Sequence, residues 1–292
     1  MSIKIISDNY GKARVRLLKV DRRAARHELQ NVTVKIALEG DFEEIHTAGD
    51  NALCLPTDTM KNTVYALAGQ VKEIEEIETF AGRLAGHFLK NNDQISRVVI
   101  DISEHGWDRM EIGGSEHTHS FTSGSGEKHI AKIDASRERA VVESGIEDLI
   151  VLKTTGSGFA GYMKDPYTTL PETTDRIFST AIKAVWRYTE ADAAAREVFD
   201  GIRQTILETF AAHDSLSVQH TLYAMGEAVL GKYDAVEVIT FSLPNIHFLP
   251  VDVSRFGLEN DNCIFLPTDE PHGLIEATLG RREDKISQIN KV

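Results

Sequence analysis

Lys153–Tyr188, KTTGSGFAGYMKDPYTTLPETTDRIFSTAIKAVWRY, leaves the apolar run Asp148–Leu152 and ends in a second apolar run, Phe178–Tyr188. Both runs read as strands, so the stretch between them is a long polar loop. Its spacing Gly156-x-Gly158-x-x-Gly161 imitates a dinucleotide fingerprint. That fingerprint requires a helix to begin inside the glycines, with its N-terminus facing a pyrophosphate. Pro166 and Pro171 follow instead, with Thr168, Thr169, Thr173 and Thr174 around them, and no helix fits. A nucleotide-binding α/β fold is therefore excluded here. What remains is a glycine-relaxed loop that carries Phe159 and closes on Asp175-Arg176. An aromatic face and a guanidinium fork suit a flat, anionic, hydrogen-bonding ring.

Outward from this loop, the pattern is α+β. Arg14–Val20 follows the turn-like Asn9-Tyr10-Gly11 and alternates as a strand, and Asn31–Leu38 is its β-branched neighbour. Pro56-Thr57-Asp58 starts a helix with Met60, Val64 and Leu67 on one face, and Ile74–Lys90 is a second amphipathic helix. Strands follow at Ile95–Ile102 and His117–Ile133, the latter broken by a turn at Thr122–Gly126. The order then repeats: strands Val141–Leu152 and Phe178–Tyr188, then helices Ala191–His213 and Val218–Leu230. The first helix buries Val198, Ile202, Ile206 and Phe210, and Ser215 and Ser217 offer caps to the second. Strands resume at Ala235–Ser242 and near Cys263–Leu266. Each half is ββααββ, giving tandem domains over 1–137 and 138–292. Such halves suit antiparallel sheets with helices on one face rather than a doubly wound sheet. Open edge strands would be removed by association, so an oligomer with sheets joined edge to edge is expected.

Composition narrows the partners. The 292 residues carry 32 basic and 45 acidic side chains, a net charge of −13, with 41% hydrophobic residues. A field of that sign disfavours nucleic acid and anionic membrane surfaces, and the core is large enough for a folded protein. Cys54 and Cys263 lack any paired-thiol spacing, so neither a disulfide framework nor a thiolate metal site is expected. No apolar signal region or membrane-length run is present, and Asn290-Lys291-Val292 is not a peroxisomal address. A cytoplasmic protein is the expectation.

Several residues offer chemistry beside a plainer structural reading. Asn245 and His247, in SLPNIHFLPVD, lie two apart at the end of a strand and so share a face. The imidazole suits proton transfer and the amide suits a held water or dioxygen. The plainer reading is a solvated strand end. Lys12 is a turn lysine by default. Thr57-Asp58 is first of all an N-cap, although free amides at a helix start also favour an anionic ring edge. Gln219 is a surface glutamine whose amide suits a donor–acceptor ring edge. His117-x-His119 is the best metal candidate, but spacing supplies no third ligand, with Glu116 and His129 merely near in sequence. Histidines at a packed interface are the simpler reading, and no metal is expected.

Taken together, YGKARVRLLKV, PTDTMKNTVYA, HTHSF, KTTGSGFAGYMKDPYTTLPETTDRI, LSVQHTLYAMGEAVL and LPNIHFLPVD resemble the urate oxidase (uricase) family, in order and over nearly the whole chain. The resemblance implies the tunnelling fold, with two similar domains per chain and barrels closed between chains of a homotetramer. It implies oxidation of urate by dioxygen and water to 5-hydroxyisourate and hydrogen peroxide, with no cofactor. Carried over by motif, Phe159 stacks under the purine, and Arg176, Gln219 and the backbone of Val218 grip its edge. Thr57 and Asp58 approach from a neighbouring subunit. Lys12, Thr57 and His247 form a proton relay, and Asn245 with Thr57 holds dioxygen or water. Two other readings stay open from the residues: a metal-dependent pterin- or GTP-processing enzyme using His117 and His119, and a non-catalytic purine-binding oligomer.

Overall fold

The computed structural model describes residues 3–190 and 193–281. Ala191, the expected start of the third main helix, and Asn290-Lys291-Val292 lie outside the described residues. The chain divides into two compact units, Met1–Leu149 with Glu190–Phe199 and Ile150–Thr189 with Asp200–Val292. Among the described residues no helix is long and apolar enough to cross a membrane.

In the first unit, strands β1 (Tyr10–Asp21), β2 (Glu28–Gly40), β3 (Ile95–Ile112), β4 (Ser115–Ser136) and β5 (Ala140–Lys153, its last residues in the second unit) pair antiparallel in chain order. Between β2 and β3 come a short helix α1 (Glu43–Thr47), then α2 (Thr57–Gln70) and α3 (Ile77–Asn91). The strands are amphipathic with period two. On β2, Val32, Val34, Ile36 and Leu38 are buried, and on β3 Val98, Ile100 and Ile102. Met60, Val64 and Leu67 of α2 and Phe80, Leu84 and Phe88 of α3 complete this core. Each fully buried side chain of this size contributes about 1.5–3 kcal/mol.

In the second unit, β6 (Phe178–Tyr188), β7 (Val236–Pro250) and β8 (Phe265–Gly280) pair antiparallel, with helices α4 (Arg196–Ala212) and α5 (Val218–Lys232) between β6 and β7. Trp186, Phe241 and Ile182 of the strands are buried, as are Ile202, Ile206 and Phe210 of α4 and Leu222, Met225 and Val229 of α5, and the Phe178 and Phe210 rings meet at 5.2 Å. The whole is a mixed α+β protein built on antiparallel sheet.

The structure corrects several boundaries. Tyr10 and Gly11 belong to β1 rather than to a turn. Helix α3 begins at Ile77, so Ile74 lies outside it. Strand β4 continues through Thr122–Gly126, but its register with β3 jumps there, from Ser123 opposite Trp107 to Lys128 opposite His105, so the expected break is a wide bulge rather than a turn. The reversal lies instead at Gly113-Gly114, both at positive φ as a tight hairpin turn requires. In α4, Phe199 is buried while Val198 is only half-buried. Strand β7 continues to Pro250, so Asn245 and His247 lie inside a strand rather than at its end. Strand β8, rich in Pro, Asp and Glu, is far longer than the Cys263–Leu266 stretch suggested.

A buried charged network holds the first unit. His129 on β4 bonds Glu78 of α3 at 2.8 Å, and its other nitrogen lies 3.4 Å from Glu104 of β3. Arg196 pairs Glu104 at 3.1 Å and Glu76 at 3.2 Å, while the Phe199 ring lies 3.7 Å from that of His129. Burial disfavours the imidazolium, but its bonds to Glu104 and Glu78 outweigh that and raise the His129 pKa. Burial also opposes the Glu104 charge, yet His129 and Arg196 hold that carboxyl down at about 2. The raised His129 contributes stability fully below about pH 6.5, its unfolded value, and loses it as pH rises through the folded value. Glu104 contributes fully above about pH 4.3 and loses it as pH falls towards about 2. His129→Gln is expected to cost roughly 3–5 kcal/mol. In thermal melts across pH it should also flatten the decline on the alkaline side, and an unchanged alkaline limb would contradict this role.

Candidate active site

The loop Lys153–Ile177 is held by backbone pairing to the start of α5. Ser215 N–H donates to the Gly156 carbonyl at 2.9 Å, and Gly158 N–H to the Ser215 carbonyl at 2.8 Å. Gly156 sits at φ +71°, open to glycine and strained for other residues. At Gly158 a Cβ would come within 3.1 Å of the Thr174 carbonyl, so the two arms of the loop lie against each other. Phe159 and Thr173 then exchange backbone bonds at 2.7 and 3.0 Å, and Arg176 N–H donates to the Ser157 carbonyl at 2.7 Å. Asp175 does not pair with Arg176. It accepts from Thr155 Oγ1 and from Gly156 N–H, all at 3.0 Å, and so ties the loop's ends.

The arms present Phe159 and Arg176 together, the guanidinium 5.4 Å from the ring centroid. Tyr162 stacks against the same ring at 4.7 Å and 14°. Burial lowers the Arg176 pKa, and its Nε is buried without a hydrogen-bond partner. A guanidinium remains charged under these conditions. A desolvated, unpaired donor costs free energy until an acceptor fills it, so this group is poised for an anion.

Phe159, Arg176, Asn245 and His247 line one cavity of about 460 Å³, together with apolar residues such as Ile246 and Phe265. Asn245 and His247 are half-buried neighbours along β7, opposite Gly273 and Thr268, and the register with β8 shifts between them. Val218 is buried and Gln219 exposed in the first turn of α5, which Ser217 caps by accepting from His220 N–H at 3.1 Å. Gln219 lines a separate groove along β8 rather than this cavity. The Gly156–Ser215 pairing nevertheless fixes its helix beside the loop.

The remaining candidates belong to the first unit. Thr57 and Asp58 are the first residues of α2, and the N-cap position falls to Pro56. The expectation that Thr57-Asp58 caps the helix is thereby corrected. Asp58 bonds Lys61 and Asn62 (2.9 Å) within its own helix, and Lys61 foremost, with the Lys12 charge a lesser cause, holds its carboxyl low. Lys12 is half-buried on β1, opposite Ile36.

The histidine pair is brought together, with ring centroids of His117 and His119 4.5 Å apart and His27 5.7 Å from His119. Neither expected third ligand joins them: Glu116 pairs with Arg26, and His129 lies in the buried network. Glu76, Glu78 and His129 do have metal-ligand spacing, but Arg196 and His129 already balance those carboxylates. Sequence reading missed this network because its members come from separate elements and share no local motif.

A cavity with one aromatic plate, an unsatisfied guanidinium and an amide–imidazole pair defines a protein for planar anionic heterocycles on an antiparallel α+β scaffold. Comparison with known proteins narrows this class. The uricase family model matches residues 8–134 and 142–276. Uricase from Arthrobacter globiformis is 43% identical over 274 residues, covering 94% of this chain and 89% of that protein. Uricase from Cyberlindnera jadinii is 40% identical over 300 residues, covering 97% and 99%. The crystal structure of the Arthrobacter globiformis enzyme superimposes with a TM-score of 0.91 at 42% identity, covering 97% of this chain and 98% of that one. The chain belongs to the uricase family.

Asp175→Ala would free the loop that presents Phe159 and Arg176. Hydrogen exchange at the Gly156 amide should quicken at least about tenfold, the loss of a charge-assisted bond. Unchanged protection would mean that the Ser215 pairing suffices alone.

Proposed function

We propose that this protein oxidises urate with dioxygen and water to 5-hydroxyisourate and hydrogen peroxide. The carrying observation is the shared cavity of Phe159, Arg176, Asn245 and His247 in a uricase-family chain. Urate is a flat anion with a donor–acceptor edge. It stacks on the Phe159 ring, with its edge gripped by Arg176, Gln219 and the Val218 backbone, and with Thr57 and Asp58 on the opposite side. Binding satisfies the buried Arg176 Nε, which has no partner in the described residues.

The chemistry is proton management around an electron-rich substrate. Lys12, Thr57 and His247 take a proton from the urate anion, and the dianion gives up electrons to dioxygen more readily. Thr57 and Asn245 hold dioxygen and then the water that adds to the ring. Dioxygen leaves as hydrogen peroxide, having gained the electrons and protons that the substrate and water lost. The protein supplies alignment, charge and proton transfer, and the reading includes no metal or organic cofactor.

The assembly belongs to the same reading. Strands β1 and β8 are outermost in chain-order sheets, and each borders a groove against a helix. Leu18 and Tyr65 beside β1, and Tyr223 and Leu274 beside β8, are exposed. Open edges with apolar flanks favour edge-to-edge joining between copies, as in a homotetramer of tunnelling-fold barrels. The family model's match in separate stretches, 8–134 and 142–276, supports tandem domains over 1–137 and 138–292.

An aerobic assay of chelator-treated protein tests the activity. Urate loss should be matched by peroxide formation without any added metal or cofactor. Urate bound but unconsumed would favour a purine-binding oligomer, and activity restored only by a metal ion would favour a metalloenzyme.

A further inference from the structure

We propose that Tyr10 is a positioning residue: its hydroxyl fixes the approach to α2, and with it Thr57 and Asp58, relative to Lys12. This rests on the reading of Lys12 and Thr57 as proton-handling groups. The Tyr10 hydroxyl accepts from Leu55 N–H at 2.8 Å and donates to the Leu55 carbonyl at 3.2 Å. Leu55 is two residues before Thr57, and Tyr10 is two before Lys12. One side chain thus joins the two segments that carry the first unit's functional groups.

Both ends of Tyr10 are anchored. Its ring meets that of the buried Phe42 edge-on, at 4.8 Å and 80°. Its hydroxyl spends its proton and an acceptor site on one peptide of the α2 approach. Tyr10 and Lys12, two apart on a strand, leave β1 on the same side. That is the side on which Leu55 is reached, and the Lys12 charge is felt at Asp58.

The strand between them has no slack. A Cβ on Gly11 would stand 1.8 Å from the Ile36 carbonyl, so β1 lies hard against β2 there. Tyr10, Gly11 and Lys12 pair with Leu38, Ala37 and Ile36, and the register shifts immediately after Lys12, where Arg14 takes φ +58°. Lys12 is therefore the last residue held in register by the clamp. The phenol is no catalytic acid or base, because burial foremost, with Cys54 adding, pushes it up to about 12.

The test is Tyr10→Phe, which keeps the ring on Phe42 and removes only the hydroxyl. The expected result is a fall in kcat between about tenfold and about a hundredfold, as for misplaced reacting groups. KM for urate should change much less, since Phe159 and Arg176 are untouched. In a Lys12→Met background, Tyr10→Phe should lower kcat no further, because the placement of Thr57 against the Lys12 amine has nothing left to serve. Wild-type kcat in Tyr10→Phe, or losses that multiply in the double variant, would overturn the proposal. Lys12→Met retaining wild-type turnover would instead remove the relay reading on which it rests.

Discussion

The pairing of Gly156 and Gly158 with Ser215 is the constraint on which the second unit's site depends. A polar loop crossing proline and threonine has little reason to hold one shape, because its backbone groups could equally be satisfied by water. Here they are spent on the turn before α5. The arms then close on each other at Gly158, Phe159 and Thr173 pair, and Arg176 is left inside with an unsatisfied Nε. The same few bonds set the aromatic plate, the guanidinium and the first turn of α5 in one frame. The anion-binding character of the site is thus a consequence of backbone geometry before it is a matter of side-chain type.

The first unit solves the matching problem differently. The groups proposed to act there, Lys12, Thr57 and Asp58, stand on a strand and at a helix start, elements that are rigid but distant in sequence. Tyr10 and Leu55 join them, while the buried Glu78–His129–Glu104–Arg196 network locks α3 and the sheet behind them. That network is costly to desolvate and tolerable because every charge meets its opposite. A cation seated there would have to displace Arg196, so its ligand-like spacing is better read as structural.

Much of this was legible in the residues. Period-two and period-3.6 patterning marks β2 and α2 well, because one face of each is more deeply buried than the other, while β6 is marked by its apolar, β-branched and aromatic run. The proline and threonine content of Lys153–Ile177 correctly excludes a nucleotide-binding helix. Less legible were β8, whose acidic and proline residues mask a strand defined by pairing with β7, and the Gly113-Gly114 turn, outweighed by the glycine-serine stretch at Thr122–Gly126. The gathering of Phe159, Arg176, Asn245 and His247 into one cavity has no local signal, since the loop and β7 are distant in sequence. The co-linear motif blocks supplied it through family resemblance, and chemical patterning alone reached only a pocket for a flat anion. Tyr10 escaped notice because it reads as a turn residue until its hydroxyl is seen on Leu55.

Lys12, Thr57 and Asp58 belong to one unit, and Phe159, Arg176, Asn245 and His247 to the other. The reading that they serve one substrate between neighbouring copies is tested most directly by mixing subunits. Lys12→Met and Arg176→Gln chains, each nearly inactive alone at low urate, would be co-expressed and the mixed oligomers assayed. Sites shared between copies predict activity well above both parents, since some sites then receive both native groups. Mixed oligomers no more active than the parents would contradict a shared site and place all these residues in the service of a single chain.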